Sequence, residues 1–84
     1  MARRSDAELR LLEKARRYLP GGSGGNLTLP TELDFLASHG KGAHIFDVSG
    51  NEYVDWLMGS GPMVLGHAHP TVTEAVIKAV EGGS

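Results

Sequence analysis

The stretch AHIFDVSGNEYVDWLMGSGPMVLGHAHP, residues 43–70, decides how this chain folds. Val48-Ser49-Gly50-Asn51 lies between two runs rich in β-branched and aromatic residues, the pattern of a reversing β-hairpin, expected over 43–58. His44, Phe46 and Val48 fall on one strand face, and Val54, Trp56 and Met58 do the same across the turn. Each strand thus has one face to bury, and a slip of one residue would invert it, so the register is well specified. After Leu57 the alternation gives way to Gly59-Ser60-Gly61-Pro62, a short apolar run Met63-Val64-Leu65, and Gly66-His67-Ala68-His69-Pro70. Glycine admits positive φ and close approach to another group, so Gly59, Gly61 and Gly66 point to contact with a ligand or with another strand. On composition alone a tight connector is the simpler reading of 59–69, and a binding loop is the sharper one.

Downstream, Pro70 suits the first position of a helix over 70–81, with Glu74 in its first turn. Val72, Ala75, Val76, Ala79 and Val80 form its apolar stripe, and Gly82-Gly83 is a C-terminal stop. Upstream, Ser5-Asp6-Ala7-Glu8 has the form of a capping box, in which the serine hydroxyl accepts from the backbone three residues on and the glutamate reaches back. A helix over 5–19 follows, with Leu11, Leu12, Ala15, Tyr18 and Leu19 as its apolar stripe and Pro20-Gly21-Gly22 as its end. Residues 20–26 read as a Gly-rich flexible loop. Leu27, Leu29, Leu33, Phe35 and Leu36 are too apolar for a free linker and are expected to be irregular or a short strand packed on a neighbour, leading through Gly40 and Gly42 into the hairpin. The fold class is α+β: N-terminal helix, small antiparallel hairpin or sheet, C-terminal helix.

Eighty-four residues make at most one small domain of marginal stability. The absence of cysteine removes disulfides and thiolate metal sites and fits a reducing compartment. Six of the eight Lys and Arg residues lie in the first seventeen positions, interleaved with Asp6, Glu8 and Glu13 as on a solvated helix face rather than a nucleic-acid surface. Arg3-Arg4 precedes no apolar run, so no export signal is present, and nothing approaches a membrane span. Without an export signal, the glycosylation pattern Asn26-Leu27-Thr28 is a chance match.

Tests for self-contained chemistry fail. His67 and His69 are two apart at a helix entry and lack a third metal ligand, so they read as structural histidines. Gly22-Ser23-Gly24 and Gly59-Ser60-Gly61 lack the later glycine of a dinucleotide loop, and no Gly-Lys-Ser/Thr or Gly-x-Ser-x-Gly occurs. Asp47 and Asp55 lie on opposite hairpin arms, where strand ends commonly carry Asp for solvation alone.

Residues 42–55, GAHIFDVSGNEYVD, followed by 61–70, GPMVLGHAHP, resemble the N-terminal region of class III aminotransferases, pyridoxal-phosphate enzymes of fold type I. Within that family the pattern is most similar to the glutamate-1-semialdehyde 2,1-aminomutase branch, which shares the helix ending in Leu19-Pro20-Gly21-Gly22. The resemblance runs from about Ala15 to Gly83. It implies a protein several times longer in which this region packs on the remainder of the chain and on a homodimer partner, the cofactor-binding domain lying beyond Ser84. Lys14, Lys41 and Lys78 match no Schiff-base lysine of the family, so the chain alone is expected to be inactive. By resemblance it supplies substrate-side wall for a small amino compound, with Gly25, Thr28, Ser60, Gly61 and Pro62 as candidate pocket residues. No nucleic-acid or membrane partner is expected, and the implied location is the cytoplasm.

Departures from the aminomutase pattern bear on substrate. Aminomutases have tryptophan where Ser60 stands, and a serine and an arginine where Gly25 and Thr28 align. Losing the arginine removes a bidentate partner for a substrate carboxylate, and the smaller Ser60 opens the pocket. These changes favour a transaminase of another amino compound over a strict aminomutase. The alternatives are an aminomutase segment and a freestanding, non-catalytic interaction module. Ser49 replaces the family's usual aspartate and leaves the turn workable.

Overall fold

The computed structural model describes residues 3–23 and 29–83. Its architecture is α+β. Helix α1 spans Asp6–Tyr18, strands β1 (Ala37–Lys41), β2 (His44–Asp47) and β3 (Glu52–Val54) form one antiparallel sheet in that order, and helix α2 spans Pro70–Glu81. Single 3₁₀ turns at Pro20–Gly22 and Thr31–Leu33 punctuate the segment between α1 and the sheet.

Ser5 caps α1 by accepting from the Glu8 N–H at 3.2 Å. The other half of a capping box is absent. The Ser5 N–H donates instead to Ser49 Oγ at 2.7 Å, and the Glu8 carboxylate turns outward to accept from the Leu36 N–H at 2.7 Å and from the Ser49 hydroxyl. Glu8 is therefore fully buried and not part of a solvated face. Arg4 departs from that reading as well, since it reaches Asp47, Tyr53 and the Asp34 carbonyl across the chain. These links dock the start of α1 on the β2–β3 turn. Acids at Asp6 and Glu8 and bases at Arg16 and Arg17 suit the helix dipole. Leu19, extended at φ −117° and ψ 136° before Pro20, ends it.

The third strand, β1, is the element that sequence periodicity missed: Ser38, His39 and Gly40 carry no β signature, and a bulge between Ala37 and His39 breaks any alternation. Its pairing is nevertheless regular beyond the bulge, with His39 opposite Phe46 and Lys41 opposite His44. The His39 and Phe46 rings stack at 4.6 Å, a cross-strand pair that anchors the register.

In the β2–β3 hairpin His44 lies opposite Val54 and Phe46 opposite Glu52. The face expected to be buried is the open one, for Val54 is half exposed and Trp56 is 93% exposed. The opposite face, carrying Ile45, Asp47 and Tyr53, is the packed one: Tyr53 stacks on Phe35 at 5.0 Å, and Asp47 is buried. Strand pairing ends near Val54, so the chain from Asp55 onward is a series of turns rather than a strand arm reaching Met58.

Leu12 is the one buried apolar residue among the described ones, and its buried companions are Glu8 and Asp47. The centre of the molecule is thus a polar clamp with a thin apolar layer. Leu11, Tyr18 and Leu19 of the expected α1 stripe are exposed, as is every residue of α2. Helix α2 packs on none of the other named helices or strands. Pro70 opens it, Gly82 closes it, and Gly83 at φ 93° follows. Glu74, five residues in, lies beyond its first turn, which holds no acid. No helix among the described residues is long and apolar enough to cross a membrane.

Candidate functional site

Contacts of His67 and Gly66 with Gly40 and Gly42 bring the loop of residues 58–69 onto the sheet. The Gly42 N–H donates to the His67 carbonyl and the His67 N–H to the Gly42 carbonyl, both at 2.9 Å. Gly66 sits at φ 84°, and a Cβ there would lie 2.8 Å from the Gly42 carbonyl oxygen. The His67 ring lies over Gly40, where a Cβ would be 2.6 Å from its Cγ. Close approach thus accounts for the glycines at 40 and 66, and a positive φ of 58° for Gly42.

Beyond this bridge the His67 side chain meets Asp55, Nε2 to Oδ2 at 2.6 Å. The other carboxylate oxygen, Oδ1, accepts from the Leu57 N–H at 2.8 Å and the Met58 N–H at 2.9 Å. The Met58 hydrogen bond, then that of His67, holds the Asp55 carboxyl below its ordinary pKa. Asp55 is therefore not a merely solvated strand end. It caps a turn through an Asx-type arrangement and ties that turn to the loop's return.

The turn itself has four successive residues at positive φ: Met58 (50°), Gly59 (66°), Ser60 (70°) and Gly61 (110°). For Met58 and Ser60 that region is unfavourable by roughly 1–2 kcal/mol each. The conformation is held by the Ser60 and Gly61 N–H groups, which donate to the Leu57 carbonyl at 3.0 and 3.1 Å, and by the Met63 N–H, which donates to the Met58 carbonyl at 3.3 Å. Gly61 lines an open concavity of about 450 Å³ together with Met58, Met63, Gly42 and Ala43. Pro62 faces a neighbouring one of about 320 Å³ with Val64 and Val72. Ser60 projects at the exposed apex. Gly25 and Thr28 lie outside the described residues.

A second cluster lies on the same face of the sheet, toward the β2–β3 turn. Asp47 accepts from Tyr53 Oη at 2.7 Å, Asn51 Nδ2 at 2.9 Å, the Asn51 N–H at 2.8 Å and Arg4 Nη1 at 3.3 Å. Burial pushes its pKa up, but the hydrogen bonds from Asn51 and Tyr53 and the Arg4 charge outweigh that and hold it below the ordinary value. Burial and the bond to Asp47 raise the Tyr53 phenol. Arg4 and Asn51 also line an open concavity of about 320 Å³ with Arg3, Ser5 and Ser49, and the cluster fastens the start of α1 to the sheet. Lys14, Lys41 and Lys78 are all exposed. No three His, Asp or Glu side chains among the described residues gather as metal ligands.

Sequence reasoning singled out Ser60, Gly61 and Pro62 but passed over Asp55 and His67 as a pair. The available signal was Asp55 two and three residues before Leu57 and Met58, the spacing of an Asx cap. The twelve-residue separation from His67 could not be read without the fold.

Known proteins share this fold. The model of the family described as aminotransferase class-III matches residues 29–84. A glutamate-1-semialdehyde 2,1-aminomutase of Methanocella arvoryzae is 38% identical over 80 residues, covering 95% of this chain and 19% of the relative. Among solved structures, an omega-transaminase from Sphaerobacter thermophilus superposes with a TM-score of 0.81 at 36% identity, over 92% of this chain and 18% of that one. A glutamate-1-semialdehyde aminomutase from Pseudomonas aeruginosa gives 0.80 at 26% identity, over 93% and 18%. The chain thus spans about a fifth of the length of the relatives it matches. On the family match across its sheet, its loop and α2, this chain belongs to the class III aminotransferases.

Proposed function

We propose that this chain is the N-terminal segment, residues 1–84, of a pyridoxal-phosphate-dependent class III aminotransferase acting on a small amino compound, and that its 58–62 turn is substrate-side wall. The observation that carries this reading is the run of four positive-φ residues, held by Asp55 and opening on a concavity, in a chain that aligns with transaminases over 92% of its length. Strained backbone fixed by its surroundings is characteristic of binding sites. Gly25 and Thr28 would extend the same wall, and Ser60 at the apex leaves room that a larger side chain would fill.

The described residues do not fit the cofactor. The three lysines are exposed on separate elements and match no Schiff-base lysine of the family. Binding of pyridoxal phosphate therefore falls to the remainder of a longer polypeptide, and the segment by itself is inactive. The exposed faces of α1 and α2 and the exposed Trp56 and Val64 suit packing against that remainder and a homodimer partner. On this reading the enzyme works in the cytoplasm and calls for no nucleic-acid or membrane partner.

The aminomutase relatives favour a second reading, isomerisation of glutamate semialdehyde. One experiment separates the readings. The polypeptide encoded by the reading frame continued past Ser84 is purified, incubated with pyridoxal phosphate, reduced with borohydride, and assayed with a panel of amines and with glutamate semialdehyde. A single reduced lysine outside residues 1–84 with amine transamination supports the proposal. Isomerisation alone supports the aminomutase, and a stoichiometric adduct on Lys14, Lys41 or Lys78 overturns both. A frame that stops at Ser84, giving a folded, monodisperse dimer without cofactor, supports an interaction module.

A further inference from the structure

We infer that Asp55 and His67 form a positioning pair that holds the 58–61 turn in the shape substrate meets. The inference rests on the proposed placement of that turn at the substrate. Neither side chain reaches the concavity as a reacting group. Asp55 acts through backbone: one carboxylate oxygen gathers the Leu57 and Met58 N–H groups where the chain leaves the sheet, and the other is taken by His67 Nε2. His67 is itself fixed twice, by its two backbone bonds to Gly42 and by its ring over Gly40. The sheet edge is thereby connected through His67 and Asp55 to the first residue of the positive-φ run. The apex amides of Ser60 and Gly61 both donate to the Leu57 carbonyl, so the orientation of the Leu57 peptide that Asp55 sets is passed directly to the apex.

The geometry also explains why both ends of the loop matter. Met58 and Ser60 occupy a backbone region that each residue avoids when free, so without its tether the turn relaxes to a more open form. A wall that relaxes weakens substrate binding more than it slows chemistry carried out by groups elsewhere.

The test uses the full-length polypeptide, reading amide hydrogen exchange and steady-state kinetics together. Asp55→Ala is expected to speed exchange at Ser60 and Gly61 at least tenfold and to raise KM for the amino substrate at least tenfold, with kcat changed less than threefold and cofactor content unchanged. Asp55→Asn keeps an acceptor for the two backbone amides and a donor for the imidazole, and is expected to restore both readouts to within threefold of the parent. His67→Phe keeps a ring over Gly40 but removes the donor, and is expected to raise KM at least threefold. Unchanged exchange at Ser60 and Gly61 in Asp55→Ala, or an unchanged KM in an active enzyme, overturns the inference, and a silent His67→Phe overturns the pair. Exchange that depends on Asp55 in a parent polypeptide that transaminates nothing overturns the functional reading instead and leaves the positioning role standing.

Discussion

Replacing Asp47 by alanine is expected to loosen the docking of α1 on the sheet by about 2–3 kcal/mol. The Asp47 side chain has no exposed surface, and four donor groups converge on its two oxygens. Removing one partner of a buried ion pair costs about 3–5 kcal/mol when the remaining charge is stranded. Arg4 would not be fully stranded. Its side chain keeps 13% exposure, and it retains Tyr53 Oη at 2.9 Å and the Asp34 carbonyl at 3.0 Å. The cost then falls to the scale of one or two lost hydrogen bonds to a charged group, about 1.5–3 kcal/mol. The assay is native-state hydrogen exchange in the full-length polypeptide, read at the Val48 amide, which donates to the Leu36 carbonyl at 2.9 Å beside the clamp. An opening made easier by about 2–3 kcal/mol speeds exchange about 30- to 150-fold. Arg4→Ala and the double variant complete a cycle whose coupling energy should be about 1–2 kcal/mol. Acceleration below threefold in Asp47→Ala, or a coupling near zero, would refute the reasoning, since the pair would then be solvated and merely adjacent.

Because the folded state depresses the Asp47 pKa, the unfolded chain binds more protons than the folded one below about pH 4, so this contribution is present in full above that pH and is lost as pH falls through the depressed value. A carboxyl-carbon NMR titration that places the Asp47 midpoint at or above the ordinary aspartate value would contradict it. Glu8→Ala leaves the Leu36 N–H without its acceptor and should cost about 1–3 kcal/mol in the same exchange measurement, with Ser5→Ala near 1 kcal/mol through loss of the cap and of the contact with the Ser49 hydroxyl at 3.1 Å. Gly66→Ala forces a Cβ to within 2.8 Å of the Gly42 carbonyl at φ 84°; protection of the Gly42 and His67 amides should collapse while that of β2–β3 persists. Ser60→Trp in the full-length polypeptide should raise KM for bulky amines several-fold and leave small amines nearly unaffected, a difference read directly by steady-state kinetics.

The two helices and the hairpin were legible because each rests on local rules: a serine cap, a proline start, a glycine stop and a two-sided strand pattern. What escaped was set by distant partners. Strand β1 has no local signature and exists because β2 offers it an edge. The choice of buried hairpin face went to Asp47 and Tyr53 rather than to Phe46 and Trp56, because Arg4 and Phe35 arrive on that side from far along the chain. Glu8 looked like half of a capping box and instead supplies the acceptor for Leu36, a bond across twenty-eight residues that no spacing rule contains. In the candidate site, the glycine spacing pointed to close approach without saying to what; the structure answers for Gly66 with the Gly42 carbonyl and for Gly59 with the Met63 side chain, while a Cβ at Gly61 would meet nothing within 4 Å.

Helix α2 leaves the sheet through Ala68, at φ 51°, directly after the doubly bonded His67, and meets no other element along its twelve residues. It is a lever about 18 Å long on a single pivot. A rotation of 20° at Ala68 moves its far end by about 6 Å while displacing the pivot hardly at all. Until its apolar stripe is seated against another surface, nothing but that pivot sets the direction of the helix, so whatever covers α2 also fixes its angle to the sheet.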